Sequence, residues 1–194
     1  MLEKLDHMQY FAFRSLLDEA PQTVEYVIEN AGDASYTDAW KGSTVFTSKS
    51  LNDPNAWTRL PTDYTEDGKL VWQHKLDKAG TNYYSYFPPY THTRHMDLLD
   101  RCSASDAATV FSLGSTLDGR EMDCVRVGTG DKVCWIIHRQ HPGETMAEYY
   151  AEGVLTRLLG LDTNGSVDGI ATKARSLYTF YIVPNMCPDG AFRG

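Results

Sequence analysis

Residues 132–159, KVCWIIHRQHPGETMAEYYAEGVLTRLL, restrict the fold more than any other part of this chain. They begin with an apolar, β-prone run, Val133-Cys134-Trp135-Ile136-Ile137, of the kind that makes a strand buried on both faces. They end in a helical pattern. Met146, Tyr150 and Val154 recur at intervals of four, with Ala147, Ala151, Leu155, Leu158 and Leu159 beside them and Gly160 as the expected C-cap. A strand that passes through a short turn into a helix is a building unit of α/β sheets. The turn here is His141-Pro142-Gly143-Glu144, and ligands of such sheets bind where strand ends lead into helices.

Upstream the pattern differs. Segments 7–13, 23–29, 43–48, 70–76 and 82–87 are rich in aromatic and β-branched residues and predict short strands. Turn signals such as Asn30-Ala31-Gly32-Asp33, Asn52-Asp53-Pro54-Asn55 and Glu66-Asp67-Gly68 separate them, which suggests a small antiparallel sandwich. Pro88-Pro89 then stops both strand pairing and helix, so residues 1–88 are expected to form a β-sandwich domain and residues 89–194 an α/β domain. In the second part a helix over 91–102, with Met96, Leu99 and His95 facing inward, precedes strands at 109–113, 121–127 and 133–137. A helix over 145–159, a weaker one over 166–176 and a buried strand at 178–183 complete a mixed or mostly parallel sheet.

The 194 residues carry a net charge of −8 and no basic patch, which argues against a nucleic acid or an anionic membrane surface as partner. No apolar run approaches the roughly 20 residues of a spanning helix. The first residues, MLEKLDHMQYFAF, lack the basic segment and apolar run of a secretion signal, so cytoplasmic residence is expected. Cys102, Cys124, Cys134 and Cys187 form no CxxC pair and are expected as buried thiols.

The chemistry concentrates in His141 and Glu144. Catalytic zinc takes three protein ligands from His, Glu, Asp and Cys and keeps one position for water. A His and a Glu three apart on a Pro-Gly turn supply two of them. The competing reading gives His141 a carbonyl partner and makes Glu144 a cap on the following helix, where an acid is favourable. Asp97, Asp100 and Arg101 read as a solvated helix face. The rings of Tyr83, Tyr84, Tyr86, Phe87 and Tyr90 read as packing against a neighbouring domain rather than as a ligand platform.

The run from Ile136 through His141-Pro142-Gly143-Glu144-Thr145 resembles the metal motif of the cytosolic carboxypeptidases, relatives of carboxypeptidase A. Further segments are similar to theirs. They are the aromatic linker Tyr84-Ser85-Tyr86-Phe87-Pro88-Pro89-Tyr90-Thr91, the turn Leu113-Gly114-Ser115-Thr116-Leu117-Asp118-Gly119, and Val183-Pro184-Asn185-Met186-Cys187-Pro188-Asp189-Gly190. The β region with Trp57-Thr58-Arg59-Leu60-Pro61 fits their additional sandwich domain. The resemblance implies a zinc metallocarboxypeptidase that hydrolyses the C-terminal residue of peptides or proteins, with His141 and Glu144 as metal ligands. Gly143 stands where secreted relatives carry arginine, and Cys187 departs from the asparagine of the family's Asn-Pro-Asp-Gly pattern. Asp189 is expected to hold the turn, and Arg193 to be solvated.

In that family the third ligand (a His), the general-base Glu and the groups that grip the substrate carboxylate follow the Pro-Asp-Gly loop. None is found before Gly194, so the chain is expected to be a fragment, inactive alone, with the general base expected beyond Gly194 and the substrate-binding residues left unknown. The open sheet edge is expected to favour poor solubility or association. Two other functions compete: a zinc deacylase of the aspartoacylase type, and a non-enzymatic β-sandwich binding module.

Overall fold

The computed structural model describes residues 8–193 and divides the chain into two units, Met1–Pro89 and Tyr90–Gly194, each with its own core. The strands of the first are Ala12–Leu17 (β1), Gln22–Ile28 (β2), Val45–Ser48 (β3), Thr58–Leu60 (β4), Asp63–Tyr64 (β5), Leu70–Leu76 (β6) and Gly80–Ser85 (β7). They pair antiparallel in two sheets, β1-β7-β3-β4 and β2-β6-β5. Alternation along β6 shows why. Leu70, Trp72 and Leu76 are buried, whereas Gln73 and Lys75 face water. Trp72 stacks on Tyr26 of β2 at 5.5 Å between ring centroids, and Tyr84 of β7 packs on Tyr26 at 4.4 Å. Aromatic rings thus fill the space between the sheets. The Tyr84 hydroxyl lies 2.9 Å from His74 Nδ1 and donates to the Tyr26 hydroxyl at 3.1 Å, so its polar end is satisfied.

The strand expected at 7–13 instead begins at Ala12, and His7 lies outside the described residues. Pairing with β7 runs from Ala12↔Ser85 to Leu17↔Gly80, carrying the strand through Arg14, which is solvent-exposed. β4 and β5 had no counterpart among the expected strands, because pieces of three and two residues are too short to show alternation.

The second unit runs His92–Ser103 (α1), Ala108–Ser115 (β8), Glu121–Val127 (β9), Lys132–Ile137 (β10), Thr145–Leu159 (α2), Gly169–Leu177 (α3), Tyr178–Val183 (β11) and Pro188–Arg193 (α4). The Thr91 side chain caps α1 by accepting from the Arg94 N–H. The sheet order is β10-β11-β9-β8, with β10 and β11 parallel and the other two pairings antiparallel, so the sheet is mixed. Leu98, Leu99 and Cys102 of α1, Leu155, Leu158 and Leu159 of α2, and Ala171 of α3 pack on Val125, Val127 and Ile182. Gly160 closes α2 in the left-handed region at φ 67, where a Cβ would come 2.5 Å from the Ser166 carbonyl oxygen.

Several inward-facing expectations fail here, and Cys134 and Cys187 are half-buried rather than buried thiols, while Cys102 and Cys124 are buried. β10 is not buried on both faces. Ile136 packs on the core, while Val133, Trp135 and Ile137 are 62, 54 and 45 % exposed, with Trp135 stacked on Tyr181. Among the described residues β10 is an edge strand, and helices cover only the other face of the sheet. Met96 faces water, whereas His95, Leu98, Leu99 and Cys102 form the buried stripe of α1. On α2, Met146 and Tyr150 are likewise outside, and the buried stripe is Glu148, Ala151, Leu155, Leu158 and Leu159.

Parallel pairing brings the C-terminal ends of β10 and β11 side by side. The His138 N–H donates to the Val183 carbonyl at 3.0 Å, and the Met186 N–H donates to the His138 carbonyl at 2.8 Å. The loops that follow, one leading to α2 and the other to α4, therefore share one end of the sheet.

Candidate metal centre

His141 and Glu144 stand on the loop between β10 and α2, with side chains 77 and 50 % exposed. His141 Nδ1 lies 2.9 Å from Glu144 Oε1, and the Glu144 N–H donates to the His141 carbonyl at 3.2 Å, so the turn closes on itself. Glu144 occupies the N-cap position of α2 but makes no side-chain capping bond there; its carboxylate turns to His141 instead. Two atoms bound tetrahedrally to zinc at about 2.0–2.1 Å lie about 3.3 Å apart. The observed pair is within a few tenths of an ångström of that spacing, and its nitrogen-plus-oxygen chemistry suits zinc. The residues fit two ligand positions. Among the described residues no third His, Cys, Asp or Glu joins them.

Beneath the turn lies a buried ionic network. Arg139, two residues after the end of β10, adopts φ 49, a left-handed conformation that strains a non-glycine residue. That backbone turns the guanidinium inward. Its Nε and Nη2 both donate to the Pro142 carbonyl, at 3.0 and 2.9 Å, and its Nη1 donates to Glu148 Oε2 at 2.5 Å and to the Tyr90 carbonyl at 3.1 Å. Glu148, fully buried one turn into α2, also meets His95 Nδ1 at 2.7 Å and accepts from Asn185 Nδ2 at 3.4 Å. His95 Nε2 reaches Asp123 Oδ2 at 3.1 Å. Burial alone disfavours a charged imidazole, but the hydrogen bonds to Asp123 and Glu148 outweigh it and raise the His95 pKa to about 9. Two cations thus face two carboxylates.

The Pro-Asp-Gly segment packs against the same turn. A Cβ on Gly190 would sit 3.0 Å from Pro142 Cγ and 2.8 Å from Cys187 Sγ, so this close approach needs glycine. Asp189 accepts from Thr116 Oγ1 at 2.8 Å, Arg120 Nη1 at 2.9 Å and the Asp118 N–H at 3.2 Å, which binds α4 to the β8–β9 turn. Burial opposes its ionisation, but these bonds prevail and hold its pKa below the ordinary value. Arg193 is ion-paired to Asp118 at 2.5 Å rather than merely solvated. Asn185 Oδ1 accepts from the Cys187 N–H at 2.9 Å, so an asparagine two residues earlier shapes the loop at whose centre Cys187 stands. His138 is buried and its pKa lowered by desolvation. Its Nδ1–H donates to the Val183 carbonyl at 3.1 Å, and Nε2 has no partner among the described residues.

A cavity of about 250 Å³ opens beside the network, lined by His92, Met96, Arg120, Asp123 and Phe192 among others. Neither His141 nor Glu144 lines it, so the candidate centre is the turn, where the donor atoms are, and not the cavity. Sequence reasoning missed Arg139, Glu148, His95 as an ionic partner, and Asn185. One signal was present: Glu148 falls on the same stripe as Ala151, Leu155 and Leu158, and a carboxylate on a core stripe needs a buried partner. Of the other polar residues, Arg101 pairs with Asp162 at 2.5 Å, while Asp97 and Asp100 face solvent.

Comparison with known proteins gives the family. The description "Cytosolic carboxypeptidase N-terminal domain" matches residues 3–87 and "Zinc carboxypeptidase" matches residues 94–194. The chain belongs to the zinc carboxypeptidase family, with the cytosolic carboxypeptidase N-terminal domain ahead of the peptidase domain. It is 39 % identical over 189 residues to an uncharacterized protein of Zymomonas mobilis, covering 97 % of this chain and 47 % of that one. It is 28 % identical over 166 residues to cytosolic carboxypeptidase 6 of Homo sapiens, covering 75 % and 32 %. Among solved structures, a metallo-carboxypeptidase from Burkholderia cenocepacia matches with a TM-score of 0.88 at 34 % identity, over 97 % of this chain and 50 % of that one. One from Pseudomonas aeruginosa, in complex with (2-guanidinoethylmercapto)succinic acid, matches with a TM-score of 0.85 at 30 % identity, over 96 % and 48 %. The chain thus spans about half the length of these bacterial relatives.

Proposed function

We propose that this chain contributes His141 and Glu144 as two ligands of a catalytic zinc in a metallocarboxypeptidase that removes C-terminal residues from peptides or proteins. The observation that carries the reading is the donor pair, 2.9 Å apart on an exposed turn where β10 leads into α2. Family membership supports the reaction class. A bound zinc would act as a Lewis acid on the scissile carbonyl and lower the pKa of a coordinated water. The chain's own part is to hold the metal, with His141 presenting a neutral ring nitrogen and Glu144 a carboxylate oxygen. The succinic acid derivative bound to the Pseudomonas relative is the kind of carboxylate expected of a C-terminal substrate mimic. A cytoplasmic setting belongs to the same reading, supported by the cytosolic carboxypeptidases among the relatives.

Two protein ligands hold zinc weakly, so the 194-residue chain by itself is proposed to hydrolyse nothing. The test is zinc titration of the purified chain in competition with a chromophoric chelator, alongside a peptide-hydrolysis assay. Weak binding that disappears in His141→Ala and in Glu144→Ala, with no residue release, is the expected result. Binding indifferent to both substitutions sinks the site, and zinc-dependent release of C-terminal residues sinks the inactivity.

A further inference from the structure

The turn that carries His141 and Glu144 is too exposed to be held by its own packing, since both side chains are at least half in solvent. Its internal bonds, from Glu144 N–H to the His141 carbonyl and from Glu144 Oε1 to His141 Nδ1, run between the very groups that need to be held. Besides the packing of Gly190 on Pro142, the Arg139 guanidinium reaches it from the interior and grips the Pro142 carbonyl with two of its nitrogens. The guanidinium is itself fixed by Glu148 and the Tyr90 carbonyl, and Glu148 is fixed by His95 and Asn185. Asn185 belongs to the loop after β11, so one carboxylate joins α1, α2 and both loops at this end of the sheet.

We propose that Arg139 and Glu148 form a buried strut that positions the His141–Glu144 turn for metal binding, a role that rests on the metal reading above. Four details of geometry support it. The pair is buried, with side chains 6 and 1 % exposed, so solvent does not compete. The contact to Pro142 is a fork onto a single carbonyl, which fixes orientation as well as distance, and a lysine cannot reproduce it. Arg139 holds a strained left-handed backbone, the kind of cost that persists only where surrounding contacts over-determine it. Glu148 sits four residues beyond Glu144, the N-cap residue of the same helix, whose carbonyl accepts from the Ala147 N–H at 3.1 Å, so the anchor stands within one turn of the ligand.

Groups that orient a metal's ligands typically change metal affinity by roughly 10–100-fold when altered. The strut is tested in the full 194-residue chain with Arg139→Lys, which keeps the charge and loses the fork, and Glu148→Gln, which keeps shape and loses the charge. Zinc affinity is measured with zinc alone, and amide exchange is followed by mass spectrometry across residues 140–147 and across the core strands. The expected result is a folded variant whose zinc affinity falls at least about tenfold, with faster exchange confined to residues 140–147. Unchanged affinity and unchanged exchange in a folded variant overturn the proposal. If His141→Ala binds zinc as the parent does, the metal reading has failed, and exchange alone judges the strut: faster exchange in the turn supports it, unchanged exchange overturns it. If neither variant folds, the pair supports the whole unit and the local role is overturned.

Discussion

The Glu148 carboxylate meets the Arg139 guanidinium at 2.5 Å directly inside the turn that bears His141 and Glu144, with both partners removed from solvent. A buried pair of this kind adds little net stability over a well-packed apolar pair, yet losing one member is expensive, because the other charge stays buried without compensation. Glu148→Ala would strand Arg139 and His95 together. The expected loss is about 3–5 kcal/mol, read from urea unfolding of the chain; a loss under about 1 kcal/mol would mean that water enters and replaces the carboxylate.

The same network makes stability depend on pH. His95 faces Glu148, Asp123 and the ring of His92. Its pKa is raised to about 9 in the folded chain, from the ordinary value of 6.5. A group whose folded pKa is raised contributes fully below its unfolded pKa, and its contribution fades as pH rises through the folded one. Stability should therefore fall between about pH 6.5 and 9, by up to about 3 kcal/mol. His95→Gln should flatten that slope, and an equal slope in the variant would assign the effect elsewhere.

Thiol reactivity should divide the cysteines. Burial pushes the Cys102 thiol up to about 12 and the Cys124 thiol up to about 11, while Cys134 and Cys187 are partly exposed. Iodoacetamide on the native chain at pH 8 is expected to modify Cys134 and Cys187 alone, and all four only after denaturation. Rapid native labelling of Cys102 would contradict the packing of α1 on the sheet.

Gly190→Ala tests the contact between the Pro-Asp-Gly segment and the turn that bears His141 and Glu144. The added methyl would press on Pro142 Cγ at 3.0 Å and Cys187 Sγ at 2.8 Å. The cysteine side chain can swing aside, but the proline ring belongs to the turn itself. A cost of about 1–3 kcal/mol is expected from such overpacking. Crystallography of the variant should show Pro142 displaced; a wild-type turn with unchanged stability would count against the close approach.

Local pattern was enough for several elements. β6, β9, α2 and β11 have the bounds that alternation, helical period and the Gly160 cap indicate, because each of those signals is contained within a few neighbouring residues. The break at Pro88-Pro89 is equally local, a consequence of missing N–H donors, and adjoins the boundary between the two units. The proximity of His141 to Glu144 was likewise legible, since a Pro-Gly turn brings residues three apart together.

Burial was a different matter, because it depends on what packs across from a residue. The apolar run of β10 read as doubly buried, yet Val133, Trp135 and Ile137 face away from the helices. Met96 was placed inside with Leu99 and His95, but the inward stripe of α1 runs through His95, Leu98, Leu99 and Cys102, and that of α2 through Glu148. Those polar residues are inside because Arg139, Asp123 and Asn185 arrive from other elements to pair with them. Sequence alone determined several of the elements and the closeness of His141 to Glu144 across their turn, both set by interactions between near neighbours. Tertiary structure decided which charges are buried and what holds that turn, because a buried charge is tolerable only where chain-distant partners converge on it.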